Sequence, residues 1–207
     1  MLNNDRTEQT RRRWESIYQG SPPGELPWEE GRPSPELVEL IESGVVEKGA
    51  ALDICCGSGN NAVYLVQQGF SCYGIDISPS AIGYAQEKAS KAGVKCELVP
   101  GNVLHLPYPD GFFTLVFDRG CFHSIASSDR ENYIRGVHRV LQTGGKYQLQ
   151  CFSSRGGRHT GVPYSFTRQE IRRYFSPLFK IHHIRELVRD LYGVKHYFLS
   201  ALMEKVD

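Results

Sequence analysis

The stretch Ala50-Ala51-Leu52-Asp53-Ile54-Cys55-Cys56-Gly57-Ser58-Gly59-Asn60 decides how this chain folds. It opens as a short apolar run that suits a buried strand, passes two glycines separated by one residue, and continues with Ala62, Leu65 and Val66 at helical spacing up to Gly69. A strand, a tight turn and a helix in that order aim the free N–H groups of the helix start at whatever lies above the strand, and glycine lets the backbone approach a ligand closely. An adenosine-containing cofactor is the expected occupant. The next apolar run, Phe70 to Ile75, ends in Asp76, about 20 residues beyond Gly57, where a carboxylate can take both hydroxyls of a ribose. Glycine pairs also mark ordinary turns, and Asp76 ahead of Ser78-Pro79 also suits a helix start. The two signals on consecutive strands are what point to a nucleotide.

Outward from that unit, strands and helices alternate. Residues 5 to 18 read as a helix with Trp14, Ile17 and Tyr18 on one side, followed by the breaker-rich segment Gly20 to Pro27. Ser34 is a predicted N-cap with Pro35 at the first helical position and Leu37, Leu40 and Ile41 as the buried face. Ser78-Pro79 starts another helix that closes at Gly93, and Cys96 to Val99 reads as a strand. Phe112 to Phe117 is a continuous apolar run ending at Asp118, as in a strand buried on both faces of a parallel sheet. Ser128 to Glu131 has the form of a capping box, its helix runs through Leu141 towards Gly144-Gly145, and Lys146 to Phe152 is the fifth strand. A glycine-rich loop from Ser153 to Pro163, a helix boxed by Thr167 and Glu170, and two strands about Lys180 to Leu187 and Val194 to Met203 complete the chain. Only a short turn, Asp190 to Gly193, separates those strands, so they are expected to pair antiparallel. The expected fold is α/β: a doubly wound, Rossmann-like, mostly parallel seven-stranded sheet with a C-terminal antiparallel hairpin.

With 207 residues, 40% hydrophobic and 23% charged, the chain suits one soluble domain, residues 1–33 forming a first helix and lid segment and 34–207 the core. A net charge of +1 gives no basic surface for nucleic acid, and the Arg11-Arg12-Arg13 run reads as a solvated helix face. No apolar stretch approaches the roughly 20 residues that span a bilayer, and the polar start is not a signal peptide, so a cytoplasmic protein with no membrane partner is expected. The six cysteines, 55, 56, 72, 96, 121 and 151, lack zinc-site spacing; they are expected to be buried reduced thiols, with no metal bound.

At this point the sequence resembles the class I S-adenosylmethionine-dependent methyltransferases. LDICCGSGN is similar to the first family motif, GIDIS to the second, GNVLHLP to the third and FDRG to the fourth. The resemblance implies S-adenosyl-L-methionine as cofactor and a set of residues around it. In that set the turn Cys55 to Gly59, with Gly57 inside it, faces the methionine part, Asp53 is a further cofactor-binding residue, and Asp76 holds the ribose. Ile77 packs on adenine, Asn102 and Val103 reach the adenine edge, and Asp118 closes the site. Cys55 stands where the commonest pattern has glycine, so it must adopt a backbone shape open to side chains; Asn102 stands where aspartate is usual, so its contact must come from the side-chain carbonyl.

Within that superfamily, Leu26 to Pro33 preceded by Trp14, and Asp118 to His123, resemble the thiopurine, thiol and halide methyltransferases, and bacterial tellurite-resistance-type enzymes share the same features. This implies a small-molecule acceptor, such as a thiol, and a monomer or homodimer. Trp14 and Trp28 suit either a lid over the cofactor or packing of the first helix. Arg119 is a candidate to hold the acceptor or the cofactor carboxylate, and His123 a candidate base or substrate contact, against the plainer reading of a hydrogen-bonded structural histidine. Two rival functions remain: a nicotinamide-dependent oxidoreductase, because Gly57, Gly59 and Ala62 also satisfy G-x-G-x-x-A, and a cofactor-binding module without turnover.

Overall fold

Helices in the first half of the chain begin where the sequence marks a start. In the computed structural model Ser34 precedes Pro35 of α2 (Pro35–Glu42), Gly59 precedes α3 (Asn60–Gln67), and the Ser78 hydroxyl accepts the Ala81 amide at 3.1 Å to cap α4 (Pro79–Lys91). The structure describes residues 2–191 and 193–207; Met1, and Tyr192 within the predicted Asp190 to Gly193 turn, lie outside them. The chain divides into two units, residues 1–106 and 107–207.

The first unit carries the long helix α1 (Leu2–Gly20), α2, α3 and α4 around three parallel strands, β1 (Ala50–Ile54), β2 (Ser71–Asp76) and β3 (Glu97–Pro100), with β2 in the middle. Leu52 and Ile54 of β1, Ile75 of β2, and Leu65 of α3 are fully enclosed, so the apolar periodicity of these elements is spent on one core. A short 3-10 turn, Val103–His105, follows β3 in place of a full crossover helix.

In the second unit β4 (Phe113–Arg119) pairs parallel with β5 (Leu141–Ser153), and the hairpin of β7 (Phe179–Leu191) and β8 (Val194–Lys205) pairs antiparallel to β5 through β8. The fold is therefore α/β, with a mostly parallel sheet and an antiparallel C-terminal hairpin. A two-residue strand, β6 (Ser165–Phe166), adds to the end of β5. Helices α5 (Arg130–Val140) and α6 (Arg168–Phe175) supply Tyr133, Val137, Ile171 and Phe175 to the core of this unit. The capping box at Thr167 and Glu170 forms as the sequence indicates. At Ser128 to Glu131 it is Asp129 that takes the N-cap position of α5, with no side-chain cap bond of its own. Leu141 opens β5 instead of closing α5, because its backbone is already extended and its partner is Phe113 of β4. Among the described residues no helix is long and apolar enough to cross a membrane.

Candidate functional site

In the first unit the loop after β1 meets the end of β2. Asp76, 6% exposed, accepts the Gly57 amide at 3.0 Å on one carboxylate oxygen and the Ser78 amide at 2.9 Å on the other. Among the described residues no cation pairs with it; burial raises its pKa to about 6 in spite of the backbone amides. A buried carboxylate held only by N–H groups retains lone pairs for further donors, and paired hydroxyls satisfy them. Gly57 (φ +54°) and Gly59 (φ +81°) take left-handed backbone, and a Cβ at either would lie 2.8 Å from its neighbour, the Tyr18 hydroxyl or the Ala85 Cβ. Asp53 is buried beneath this turn, and its charge helps push the Cys56 and Cys72 thiols up, after burial and, for Cys72, the Cys96 hydrogen bond.

Two expectations need correction here. Cys55 does not take a conformation open to ordinary side chains: its φ is +52°, the left-handed region that glycine favours, because the turn demands that shape whatever residue stands there; it costs roughly 1–2 kcal/mol. Nor are all six cysteines reduced. Cys56, Cys72, Cys96 and Cys151 are free thiols, whereas Cys55 and Cys121 are disulfide-bonded. The Asn102 carbonyl accepts the Leu104 amide at 3.0 Å as the cap of the 3-10 turn, and its amide donates to Thr7 at 3.3 Å, so part of its capacity is already taken. Val103 next to it is buried, and Ile77 is half-buried.

The first helix is tied to this region by the aromatic residues that the sequence singles out and by two glutamates that it does not. Trp14 and Trp28 meet edge to face at 5.6 Å, the Trp28 indole N–H donates to the Tyr18 hydroxyl at 3.3 Å, and Tyr18, Leu26 and Ala81 form a buried cluster. Glu15 accepts the Ser80 amide at 3.1 Å and the Ser78 and Ser80 hydroxyls at 2.7 Å each, placing a carboxylate at the N-terminus of α4. Glu29 plays a similar part at the start of α3: it accepts the Ser58 hydroxyl at 2.6 Å, the Asn60 side-chain amide at 2.8 Å and the Ser58 backbone amide at 3.3 Å. The partners of both glutamates are distant in sequence.

In the second unit Asp118 is fully buried and engaged by its own chain. It accepts the Tyr133 hydroxyl at 2.6 Å, the Tyr147 hydroxyl at 2.8 Å, the Cys121 amide at 2.8 Å and the Phe122 amide at 3.1 Å. Burial raises its pKa to about 6 against those donors. Its place at the end of β4 thus fixes the following turn, and Arg119 beside it pairs in register with Gln150 of β5. His123 stacks on Phe152 at 4.7 Å, and its Nδ1 accepts the Phe152 backbone amide at 3.3 Å. Burial lowers its pKa to about 3, so at neutral pH the ring is uncharged, with the proton on Nε2 and no free basic lone pair. The ring presents a donor. Sequence reasoning missed Arg130, a buried arginine enclosed by aromatic rings; its place in the hydrophilic stretch that opens α5 gave no cue.

A model of the methyltransferase domain family matches residues 51–145. Over 151 residues the chain is 33% identical to the 2-heptyl-1-hydroxyquinolin-4(1H)-one methyltransferase of Mycobacteroides abscessus, covering 70% of this chain. The chain spans less than two thirds of the length of the first two curated relatives it matches, 66% and 44%. An uncharacterized methyltransferase of Schizosaccharomyces pombe is 33% identical over 116 residues, 56% of this chain and 79% of its own length. A probable thiol methyltransferase of Arabidopsis thaliana is 27% identical over 173 residues, covering 80% of this chain and 72% of the relative. Among solved structures, the Burkholderia thailandensis 1,6-didemethyltoxoflavin-N1-methyltransferase, determined with its acceptor and S-adenosylhomocysteine, superposes with a TM-score of 0.81 at 20% identity, covering 99% of this chain and 90% of that one.

Proposed function

This chain belongs to the class I S-adenosylmethionine-dependent methyltransferases, and on that footing we propose that it transfers the cofactor's methyl group to a small-molecule acceptor, a thiol or another soft nucleophile. The observation that carries the reading is Asp76, a buried carboxylate at the end of β2 bonded at 3.0 Å to the Gly57 amide of the glycine turn. The residues present fit the cofactor: Asp76 keeps acceptor capacity for two ribose hydroxyls, and Val103 and Ile77 offer apolar surface to a base. Asp53, Cys55, Gly57 and Gly59 form the turn assigned to its methionine part. Asn102 is assigned to the adenine edge through whatever lone pair its cap leaves. Trp14 and Trp28, locked to Tyr18, are assigned to the segment that shields this region from water.

When bound, the cofactor supplies a methyl group on a sulfonium, whose breaking bond returns its electron pair to that sulfur as a neutral thioether. The acceptor forms the new bond through its own lone pair, so the chain has to orient it, exclude water and favour its ionised form. A thiol with a pKa near 8.5 presents a few per cent of thiolate at neutral pH, its proton having gone to solvent. Arg119 is assigned to favour that anion, and the Nε2–H of His123 to contact the acceptor as a donor. The named acceptors of the M. abscessus and B. thailandensis enzymes support a small acceptor, and the Arabidopsis relative supports a thiol.

Melting curves test the assignment. S-adenosylhomocysteine is expected to raise the melting temperature and NAD to leave it unchanged, since only a ligand of the folded state stabilises it. A shift with NAD alone would make the chain an oxidoreductase. His123→Gln is expected to cost turnover only a few-fold, with no limb near pH 6.5 in the parent's profile, because the histidine already lies neutral there.

A further inference from the structure

We infer that Arg130 is an acceptor-binding residue, which pairs with an acidic group carried by a small aromatic acceptor. The inference rests on the methyltransferase reading above and names the acceptor's chemistry. Arg130 opens α5 and is only 6% exposed. Its Nε donates to the Ile125 carbonyl at 3.3 Å and its Nη1 to the Tyr174 hydroxyl at 3.0 Å, while its buried Nη2 has no hydrogen-bond partner among the described residues. No carboxylate of the described residues pairs with it either. The guanidinium instead lies over four rings, Tyr164 at 4.5 Å, Phe166 at 4.7 Å, Tyr174 at 5.5 Å and Phe122 at 5.8 Å.

Ring faces attract a cation but accept no hydrogen bond in the guanidinium plane, so they leave the Nη2 donors unsatisfied. A buried charge with an orphaned donor is costly, and structures keep one where something completes it. An anion does so best, because a planar guanidinium matches a carboxylate or a similar acidic group.

The position fits an acceptor. Phe122 and Ile125 lie in the segment after the carboxyl end of β4, and Phe166 belongs to β6 at the end of β5, the end of an open α/β sheet where ligands bind. Tyr164, half-buried, donates its amide to the His123 carbonyl at 2.7 Å. From there His123, Phe152 and Phe198 continue as nearly parallel rings, 4.7 and 4.9 Å apart. Flat, stacked walls beside a buried cation suit an aromatic ring bearing an acidic substituent.

Calorimetric titration with benzoate and with benzamide, the same ring without the charge, tests this in the protein alone and saturated with S-adenosylhomocysteine. The expected result is benzoate binding about tenfold or more tighter than benzamide. Arg130→Met should bring benzoate down to the benzamide value and leave S-adenosylhomocysteine affinity unchanged. Equal binding of the two probes by the parent, or a charge preference that survives Arg130→Met, overturns the assignment. Should that variant fold poorly, hydrogen exchange on the parent decides: benzoate should slow exchange in segments 120–125 and 164–175, and protection confined elsewhere refutes the proposal. S-adenosylhomocysteine that binds without any charge preference removes Arg130 from the site and leaves the methyltransferase reading standing. Failure of S-adenosylhomocysteine itself to bind removes that reading, whatever benzoate does.

Discussion

Asp76→Ala is expected to weaken S-adenosylhomocysteine binding by roughly 10- to 150-fold, the equivalent of about 1.5–3 kcal/mol for hydrogen bonds to a charged group, while the protein stays folded. The same residue sets a pH dependence. Its pKa in the free protein is about 6 because burial opposes its charge, whereas hydroxyl donors favour the ionised form. Affinity should therefore be flat above about pH 6 and fall by about tenfold for each unit below it, and Asp76→Asn should abolish that limb. For the stability of the free protein the sign is the reverse. The folded state holds this proton more tightly than an unfolded carboxyl with its ordinary pKa of 3.8, so Asp76's contribution is present at low pH and is lost as pH rises through about 6. Calorimetry from pH 5 to 8 measures both, and unaltered affinity in Asp76→Ala would reduce the residue to a helix-start cap.

The second large effect is on stability. Asp118→Ala removes one carboxylate that satisfies two buried tyrosine hydroxyls and two backbone amides, leaving Tyr133 and Tyr147 only their mutual contact at 3.3 Å. Stripping one partner from such a network costs about 3–5 kcal/mol, which for a chain of this size corresponds to a loss of about 10 °C in melting temperature. Asp118→Asn, which retains an acceptor oxygen, should lose less. A change below about 1 kcal/mol in urea unfolding of Asp118→Ala would show that the network is not structural.

The parts of this architecture that were legible in the sequence are local. The glycine turn, Asp76, the start of α2 and the capped starts of α4 and α6 depend on residues a few positions apart, so spacing alone exposed them. The antiparallel hairpin followed from the short connection between β7 and β8. What stayed hidden depends on long-range partners: Glu15 reaches Ser78 and Ser80, Glu29 reaches Ser58 and Asn60, and Tyr147 reaches back to Asp118. Each is a polar residue whose burial or pairing exists only once the chain has folded. The letters at Ser128 to Glu131 gave no sign that Arg130 turns inward among aromatic rings. Cys55 shows a related limit: a pattern fixes which positions must be left-handed, and the chain tolerates a side chain there at a local cost.

The most direct test of the assignment is transfer itself, followed with S-adenosylmethionine labelled in its methyl group and a panel of aromatic thiols, phenols and heterocyclic amines. The expected result is a labelled product, richest with the thiols, formed together with an equal amount of S-adenosylhomocysteine, and abolished or greatly reduced by Asp76→Ala. Tight binding of S-adenosylhomocysteine with no labelled product from any acceptor would contradict it and make the chain a cofactor-binding module.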